Sequence, residues 1–325
     1  MPTFRSMNIQ TDAAELARLY NCTVPEPITS ETAHAWWTLR EGEIRSTMLA
    51  MDESGETIGY WDVDRETWMK PGHFFLKVIV TPDHRCRGLG SQMYADALCF
   101  ARENGATHLE SKVFETDTTS LQFAEARGFK ILHHSFNSSL DLTSFDEHRF
   151  DPLMDRLHSE GFRFFSLAEA GLTEENKRKL YEVNRASALD NPGNDRTFPD
   201  FYAFSKNVFE ATWFRPDTQI IAAHGDRWVG LSALAIYPEE KYASNAFTGV
   251  LHEYRGRGLA QALKLQTILL ARKEGMLSIR TNNDSENTPI LTVNRKLGYL
   301  PEPGFYTLLC ILKEEEGHNA LSSRD

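Results

Sequence analysis

Apolar and polar residues in the first half of the chain alternate in short blocks typical of strands, separated by longer stretches with the spacing of amphipathic helices. The clearest block is residues 74–80, which are apolar except for Lys77 and predict a buried strand. A turn at residues 53–55 joins two neighbouring blocks into a predicted hairpin. The predicted strands are residues 4–10, 46–51, 57–63, 74–80, 108–114 and a last one after Phe129, and the predicted helices are residues 12–20, 31–40, 91–104 and 118–127.

The second half repeats this order of elements. It predicts a strand at residues 163–167, a helix at 174–188, a phenylalanine-rich helix at 200–209 and a hairpin across Gly225. A strand, a glycine loop and a helix follow, as in the first half. Residues 190–199 are rich in Pro, Gly and Asn, which predicts a surface loop that either borders a binding cleft or acts as a spacer.

An internal duplication with an offset of 170 residues underlies this repetition. Residues 85–90 (RCRGLG) return as residues 255–260 (RGRGLA), and the glycines that follow the next helices return in the same register. Chance does not keep a loop and its downstream glycines aligned. At 325 residues the chain also has the length of two domains of about 150 residues each. We therefore predict an N-terminal domain at residues 1–145 and a C-terminal domain at residues 146–325.

Composition excludes several classes of partner. The formal net charge is −11 and Lys and Arg form no long cluster, which argues against a nucleic-acid partner. No run of about 18 apolar residues indicates a membrane span, and the first residues lack the apolar stretch of a secretory signal. The four cysteines form no metal-binding pattern. We expect a cytoplasmic protein with no metal, acting as a monomer or homodimer.

Both glycine loops have the composition of an anion-binding site. In each half a largely apolar strand runs into Arg-x-x-Gly-x-Gly/Ala and then a helix, which places free backbone N–H groups at a helix N-terminus. Gly88 and Gly258 allow a pyrophosphate to approach the backbone. A dinucleotide-binding loop fits less well, because its third glycine is missing, and no Walker lysine follows. Four arginines add cations that pair with phosphate oxygens: Arg85, Arg87, Arg255 and Arg257.

These loops resemble the cofactor motif of the GNAT superfamily of acetyl-CoA-dependent N-acetyltransferases. The resemblance rests on residues 78–90 and 248–260, and on residues 127–129 and 297–299, which look like the family's closing element. It covers nearly the whole chain, once per half, and as a tandem pair the chain is similar to relatives of mycothiol synthase. It implies an α/β fold of two tandem domains, each a mostly antiparallel twisted sheet flanked by helices, with acetyl-CoA as co-substrate.

The resemblance also implies which residues hold the cofactor. Backbone groups around Val78, Val80 and Val250 would hold the pantetheine arm, and the loop amides would hold the pyrophosphate. Asn287 matches a family asparagine that contacts the cofactor, although it equally suits the start of a helix, and the aligned residue in the first half is Asp117. The loop residues are Arg85, Arg87, Gly88, Gly90 and Ser91 in the first half, and Arg255, Gly256, Arg257, Gly258 and Ala260 in the second.

Catalytic residues are harder to assign. Many family members carry a tyrosine that protonates the leaving thiolate, and that position holds Ala124 or Asn294 here. A family carboxylate often lies where this chain has Phe74 and Ser244. The weak candidates are Glu239, Glu240, Tyr242 and Asn294, followed by Asp62, Asp64 and His73, and for Asp62, Asp64, Glu239 and Glu240 a solvated surface charge is the commoner role.

Together these observations predict an N-acetyltransferase that transfers acetyl from acetyl-CoA directly to a primary amine of a small molecule. A non-catalytic acyl-CoA-binding sensor or regulatory protein stays an alternative, as does transfer to oxygen or of a longer acyl group. We expect the C-terminal half to be the active one, because it keeps Asn287. Its aromatic segment at residues 198–209 would either line an acceptor pocket or pack in the core.

Overall fold

The structure is a computed structural model of the chain, and it describes residues 2–24, 27–38, 42–66, 69–190 and 197–313. The chain forms two compact units. Unit 1 comprises Met1–His133 together with Phe305–Asp325, and unit 2 comprises His134–Gly304. In the described residues, no helix has both the length and the apolar character needed to cross a membrane.

The predicted strands and helices occur in the predicted order, and the structure has further elements at Asp151–Ser159, Leu167–Ala170 and Leu300–Pro301. The strands are β1 (Thr3–Ser6), β2 (Gly42–Met51), β3 (Thr57–Glu66), β4 (His73–Val80), β5 (His108–Phe114), β6 (Lys130–Asp141), β7 (Phe162–Ser166), β8 (Gln219–His224), β9 (Arg227–Tyr237), β10 (Tyr242–Val250), β11 (Ser278–Asp284), β12 (Leu300–Pro301) and β13 (Phe305–Ile311). The helices are α1 (Ile9–Asn21), α2 (Ser30–Thr38), α3 (Leu89–Glu103), α4 (Thr118–Glu125), α5 (Asp151–Ser159), α6 (Leu167–Ala170), α7 (Glu174–Leu189), α8 (Phe201–Phe204), α9 (Leu259–Lys273) and α10 (Thr288–Leu297).

The sheet of unit 1 has the strand order β1-β2-β3-β4-β5-β13. Neighbouring strands are antiparallel except β4 and β5, which run parallel. Successive side chains of β3 point to opposite faces. Tyr60 packs with Leu19 of α1, whereas Trp61 packs with Met93 of α3. Helices therefore cover both faces of this sheet.

Unit 2 has the strand order β7-β8-β9-β10-β11-β6, and β12 also pairs with β6. Again the neighbours are antiparallel except one parallel pair, β10 and β11. Leu231 of β9 packs with Val183 of α7, and Leu234 packs with Leu265 of α9 on the other face. The predicted α/β fold, with two mostly antiparallel sheets flanked by helices, is confirmed.

The last strand of each sequence repeat completes the sheet of the other unit. The last strand of the described residues, β13, pairs with β5 from Phe305 opposite Phe114 to Ile311 opposite His108. Residues 135–141 of β6 pair with β11 in unit 2. The predicted division at residue 145 separates the repeats and stays a prediction, while the compact units follow these strand pairings.

Two predicted elements differ in the structure, and a third lies partly outside the described residues. The strand predicted at residues 4–10 ends at Ser6, because the Asn8 side chain accepts a hydrogen bond from the Gln10 amide (3.1 Å) and caps α1. The helix predicted at residues 200–209 is α8 for one turn and then a π turn at Ser205–Phe209. Within the loop predicted at residues 190–199, residues 191–196 lie outside the described part of the chain.

Candidate functional site

In each unit the parallel strands separate after three residue pairs. The last pair is Phe75 opposite Glu110 in unit 1 and Ser244 opposite Arg280 in unit 2. The other edge of β4 stays paired with β3 as far as Val80. In the described part of the chain no strand pairs with the diverging edge of residues 76–80, so its backbone groups suit an extended ligand.

The loop after β4 adopts a strained backbone that leads directly into a helix. A 3₁₀ turn at Pro82–His84 follows the strand, and Arg85 Nε donates to the carbonyl oxygen of Val80 (3.1 Å). Cys86 (φ 59°) and Gly88 (φ 85°) both lie in the left-handed region. No side chain caps the start of α3, so its first N–H groups are available to an anion.

Unit 2 reproduces this geometry. Arg255 Nε donates to the carbonyl oxygen of Val250 at 3.1 Å, and α9 begins without a side-chain cap. Gly256 (φ 76°) and Gly258 (φ 90°) take the left-handed conformations of Cys86 and Gly88. Both predicted loops are therefore strand-to-helix turns, and their backbone N–H groups lie at the N-terminus of an α-helix.

A cavity of about 190 Å³ lies beside the loop of unit 1. Most of the predicted cofactor residues of this half line it, whereas Arg87 is exposed and lies outside its lining. Arg127 donates to Ser91 Oγ (2.7 Å) and lies 3.3 Å from the ring centroid of Phe123, so a further cation stands at this cavity. The lining includes Val78, Val80, Arg85, Gly88, Gly90, Ser91, Thr119, Ser120 and Phe123.

The aligned residues Asp117 and Asn287 both cap a helix. Asp117 accepts from the Ser120 amide (3.0 Å) at the start of α4, and its carboxylate lies 3.6 Å from the Arg85 guanidinium. Asn287 accepts from the Ile290 amide (3.4 Å) at the start of α10. The helix-start reading of Asn287 is thus the role that its contacts show.

Helix α5 contacts the loop of unit 2. Arg156 Nη2 donates to the carbonyl oxygen of Arg257 (2.8 Å), and a Cβ on Gly258 would lie 2.7 Å from Leu153 Cδ1. Arg255 also pairs with Asp190 (3.2 Å). A side chain at Gly258 would therefore displace Leu153, whereas a Cβ at Gly88 meets no atom within 4 Å.

A β-bulge distinguishes β10 from β4. The pairing of β10 with β9 shifts register between Asn245 and Phe247, so Ala246 is the additional residue. The corresponding pairing of β4 with β3 is uninterrupted from Val80 to Phe75. The bulge follows directly after the last β10–β11 pair, and it aims two consecutive side chains, Ala246 and Phe247, into one cavity.

That cavity has a volume of about 230 Å³ and an apolar and amide lining. Residues of the aromatic segment 198–209 line it, while Phe201 and Phe209 of the same segment pack in the core cluster around Tyr181. Core packing therefore accounts for part of the segment, and its role in an acceptor pocket stays a prediction. Among the described residues, no charged side chain belongs to the lining, which consists of Leu180, Asn184, Phe198, Pro199, Phe204, Asn207, Val208, Trp213, Gln219, Ala233, Ala246 and Phe247.

Sequence reasoning missed Lys264, which lies on the opposite face of the same bulge. The side chain is fully buried, and Nζ donates to Asn245 Oδ1 (3.0 Å). Burial lowers the pKa of Lys264 to about 7. Its position beside Leu263 and Leu265, in an otherwise apolar stretch of α9, is the sequence signal that could have found it.

The weak catalytic candidates have different surroundings. Glu239 and Glu240 are exposed between β9 and β10, outside the lining of the described cavities. Tyr242 stacks on Tyr237 with ring centroids 4.6 Å apart. Asn294 is buried and donates to Asn283 Oδ1 (2.7 Å). A catalytic role for these residues stays a prediction.

Three candidates of unit 1 are also structurally defined. Asp62 and Asp64 are 1% and 2% exposed, so their interpretation as solvated surface charges is wrong. Asp62 accepts from Thr47 Oγ1 (2.8 Å) on the face of β3 that α1 covers. His73 pairs with Glu110 (2.9 Å). No cluster of three or more His, Cys, Asp or Glu suited to a metal occurs in the described part of the chain.

A family model described as Acetyltransferase (GNAT) family matches residues 13–129 and again residues 179–299. No curated protein matches the sequence. The two matches contain both glycine loops and both diverging strand pairs.

Solved structures share the fold at low sequence identity. A GCN5-related N-acetyltransferase from Sphaerobacter thermophilus is 17% identical with a TM-score of 0.69, and 95% of either chain is covered. A tandem GNAT protein from the clavulanic acid biosynthesis pathway is 19% identical with a TM-score of 0.65, covering 95% of this chain and 98% of that one. A fungal multi-domain GH3 beta-N-acetylglucosaminidase with a GCN5-related glucosamine N-acetyltransferase region is 16% identical with a TM-score of 0.70. The match covers 95% of this chain and 38% of that one.

Proposed function

Because the chain belongs to the acetyltransferase (GNAT) family, with one match in each half, we propose that it is an N-acetyltransferase that transfers acetyl from acetyl-CoA to a primary amine of a small molecule. The observation that carries this proposal is the cavity of unit 1. Six residues predicted from the sequence to hold the cofactor converge there, beside the diverging edge of β4.

The residues at each loop fit the phosphate and amide groups of CoA. The uncapped start of α3 and the Arg85 guanidinium suit a pyrophosphate, and the backbone of Val78 and Val80 suits the amides of the pantetheine arm. Arg255 and the start of α9 would do the same in unit 2. When bound, acetyl-CoA supplies the acetyl group as a thioester.

We place acetyl transfer in unit 2. Its bulge lies where β10 and β11 separate, and the cavity lined by Phe247 opens on the face that α7 covers. An amine must lose its proton before it attacks a carbonyl carbon, and a lining without charged groups favours the neutral amine over the ammonium form. The phenylalanine and tryptophan rings would exclude water, while Asn184 and Gln219 orient polar groups of the acceptor.

A direct test is release of CoA thiol from acetyl-CoA in the presence of a panel of small primary amines, with the acetylated product identified by mass. We expect release that requires one class of amine and that falls to background in Gly256→Asp. This substitution adds a carboxylate to the loop of unit 2 without a clash, since a Cβ there meets no atom within 4 Å. Gly256→Asn is the neutral control.

The alternative is an acyl-CoA-binding protein without turnover. One observation favours it: neither Ala124 nor Asn294 offers a phenol where many family members carry their proton donor. Acetyl-CoA that binds by calorimetry but yields no thiol with any amine would support this alternative. Absence of binding at millimolar acetyl-CoA would contradict both functions.

A further inference from the structure

A buried polar cluster surrounds Lys264 in unit 2. Its Nζ donates to Asn245 Oδ1 (3.0 Å) and lies 4.7 Å from the ring centroid of Tyr299. No carboxylate of the described residues forms an ion pair with this amine, and Lys264 is fully buried. A buried cation without a carboxylate is destabilising, so this lysine is a candidate for a functional group.

Asn245 holds the amine in one direction. Its Nδ2 donates to Ser232 Oγ (2.8 Å) and to the carbonyl oxygen of Ala233 (3.2 Å). Its Oδ1 also accepts from Thr248 Oγ1 (2.8 Å). These bonds fix the orientation of the Asn245 side-chain amide. Because Asn245 directly follows the last β10–β11 pair, the Lys264 amine that it binds lies where the two strands begin to separate.

Two polar atoms of the same region have no partner among the described residues. They are the Tyr299 hydroxyl and Asn294 Oδ1, and both side chains are at least nine-tenths buried. Buried polar atoms are almost always hydrogen-bonded, so this pair indicates that a polar group of a ligand or a water completes the cluster.

Unit 1 shows that the fold does not need this cluster. The equivalent residues of unit 1 replace the lysine, the three asparagines and the buried hydroxyl by apolar or aromatic side chains. All five belong to or pack against the core of unit 1. Leu76 is the equivalent of Asn245, because each directly follows the last pair of its parallel strands. The equivalents of Lys264, Asn283, Asn294 and Tyr299 are Tyr94, Val113, Ala124 and Phe129.

We propose that Lys264 is the proton donor to the CoA thiolate that leaves when acetyl is transferred in unit 2. The proposal rests on the function proposed above. The acceptor nitrogen bonds to the acetyl carbon as the carbon–sulfur bond breaks, and the sulfur takes the bonding pair and then a proton from the Lys264 ammonium. The nitrogen releases one proton to solvent, and solvent returns one to the Lys264 amine.

The surroundings suit such an exchange near neutral pH. Burial is the sole cause that lowers the pKa of Lys264, to about 7, so both protonation states are accessible there. Ser232, Thr248 and Thr281 contribute neutral groups from β9, β10 and β11. Within the described residues, Tyr299 is the titratable neighbour, and burial raises the pKa of its hydroxyl, which therefore stays neutral.

The test measures the bound CoA thiol, and it needs no acceptor. Protein carrying Cys86→Asp, which adds a carboxylate to the unit 1 loop, is saturated with CoA, and thiolate ultraviolet absorbance is followed as pH rises. The same protein with desulfo-CoA is the blank. We expect Lys264→Met in this background to make the bound thiol at least tenfold less acidic, because a bound thiolate and the Lys264 ammonium would stabilise each other's charged forms and titrate as a pair. Tyr94→Phe, at the equivalent position of unit 1, should change nothing.

The results of this titration test the role of Lys264 separately from the proposed acetyltransferase function. An equal titration midpoint with and without Lys264, on protein that binds CoA, would overturn the role of Lys264 and leave the acetyltransferase function standing. Failure of CoA to bind would overturn both. If Lys264→Met does not fold, Lys264→Gln removes the charge and keeps a hydrogen-bond donor beside Asn245. A bound thiol that becomes less acidic in this variant would support the proposal, while an unchanged one would contradict it.

Discussion

Arg85 Nε donates a 3.1 Å hydrogen bond to the carbonyl oxygen of Val80, and Arg255 repeats the bond to Val250 at the same distance. In both units the first arginine of the motif therefore joins the end of a strand to the glycine loop that follows. Its charge stands beside the uncapped helix start. Arg87, two residues later, is exposed and makes no side-chain hydrogen bond within the described residues.

This difference predicts unequal effects of two similar substitutions. Arg85→Met should lower the affinity of unit 1 for acetyl-CoA about 10- to 100-fold, because a charged hydrogen bond that orders the loop is lost. Arg87→Met should change it less than about threefold, as expected of an exposed charge. Calorimetric titration of both variants, in a Gly256→Asp background that restricts binding to unit 1, measures the effect. Equal losses would contradict a special role for Arg85.

The two loops offer a matched pair of positions for counting cofactor sites. Cys86 (φ 59°) and Gly256 (φ 76°) are equivalent, and Asp and Asn are among the side chains that tolerate such a backbone. We expect Cys86→Asp and Gly256→Asp each to remove one acetyl-CoA site per chain by charge repulsion. Cys86→Asn and Gly256→Asn should keep their sites. Calorimetric titration measures the number of acetyl-CoA sites per chain in each variant. A carboxylate variant with an unchanged number of sites would show that its loop binds no acetyl-CoA.

The sequence predicts those elements that local chemistry determines. The apolar run of β4 and the glycines after it specify a strand, a turn and a helix wherever they occur. The exchange of β6 and β13 could not be predicted in this way, because their alternating patterns suit the same place beside either β5 or β11. Partner choice depends on contacts between residues that are far apart in the sequence.

Burial of charged residues was the other unpredictable feature. In β3, Asp62 and Asp64 alternate with apolar residues and so indicate a solvent face, but α1 covers that face. Lys264 lies in a helix, where a lysine is normally exposed. The cofactor loops could be predicted because glycine and arginine carry their chemistry locally. The cluster around Lys264 brings together residues of β10 and α9 with Tyr299, which are far apart in the sequence.

Phe247 provides a test of the acceptor cavity. Phe247→Ala should raise the KM for the acceptor amine about tenfold or more, because an aromatic contact in the lining is lost, and it should leave the KM for acetyl-CoA unchanged. Tyr202→Ala, in the aromatic segment 198–209 but 80% exposed, should alter neither constant. Steady-state kinetics with each substrate varied in turn measure both. A rise in the KM for acetyl-CoA alone would mean that this cavity holds part of the donor.

Stability should depend on pH through Lys264. Its pKa is about 7 in the folded chain and its ordinary value is 10.5, so between these values the unfolded chain binds a proton that the folded chain does not. The free energy of unfolding therefore rises with pH in this window, and below pH 7 the folded state carries the whole cost of the buried charge. Relative to Lys264→Met, the wild-type chain should gain roughly 2 kcal/mol between pH 7 and pH 9.

Urea denaturation of both proteins at the two pH values measures this gain. Lys264→Met should itself be the more stable protein at pH 7, because methionine fills a similar volume without a charge to desolvate. Tyr94→Phe provides the control for a substitution at the equivalent position of unit 1, and it should leave the pH dependence of the wild type intact. A difference between wild type and Lys264→Met that stays constant from pH 7 to pH 9 would mean that Lys264 keeps its proton when buried, and a lysine that never releases its proton could not serve as the donor to the thiolate.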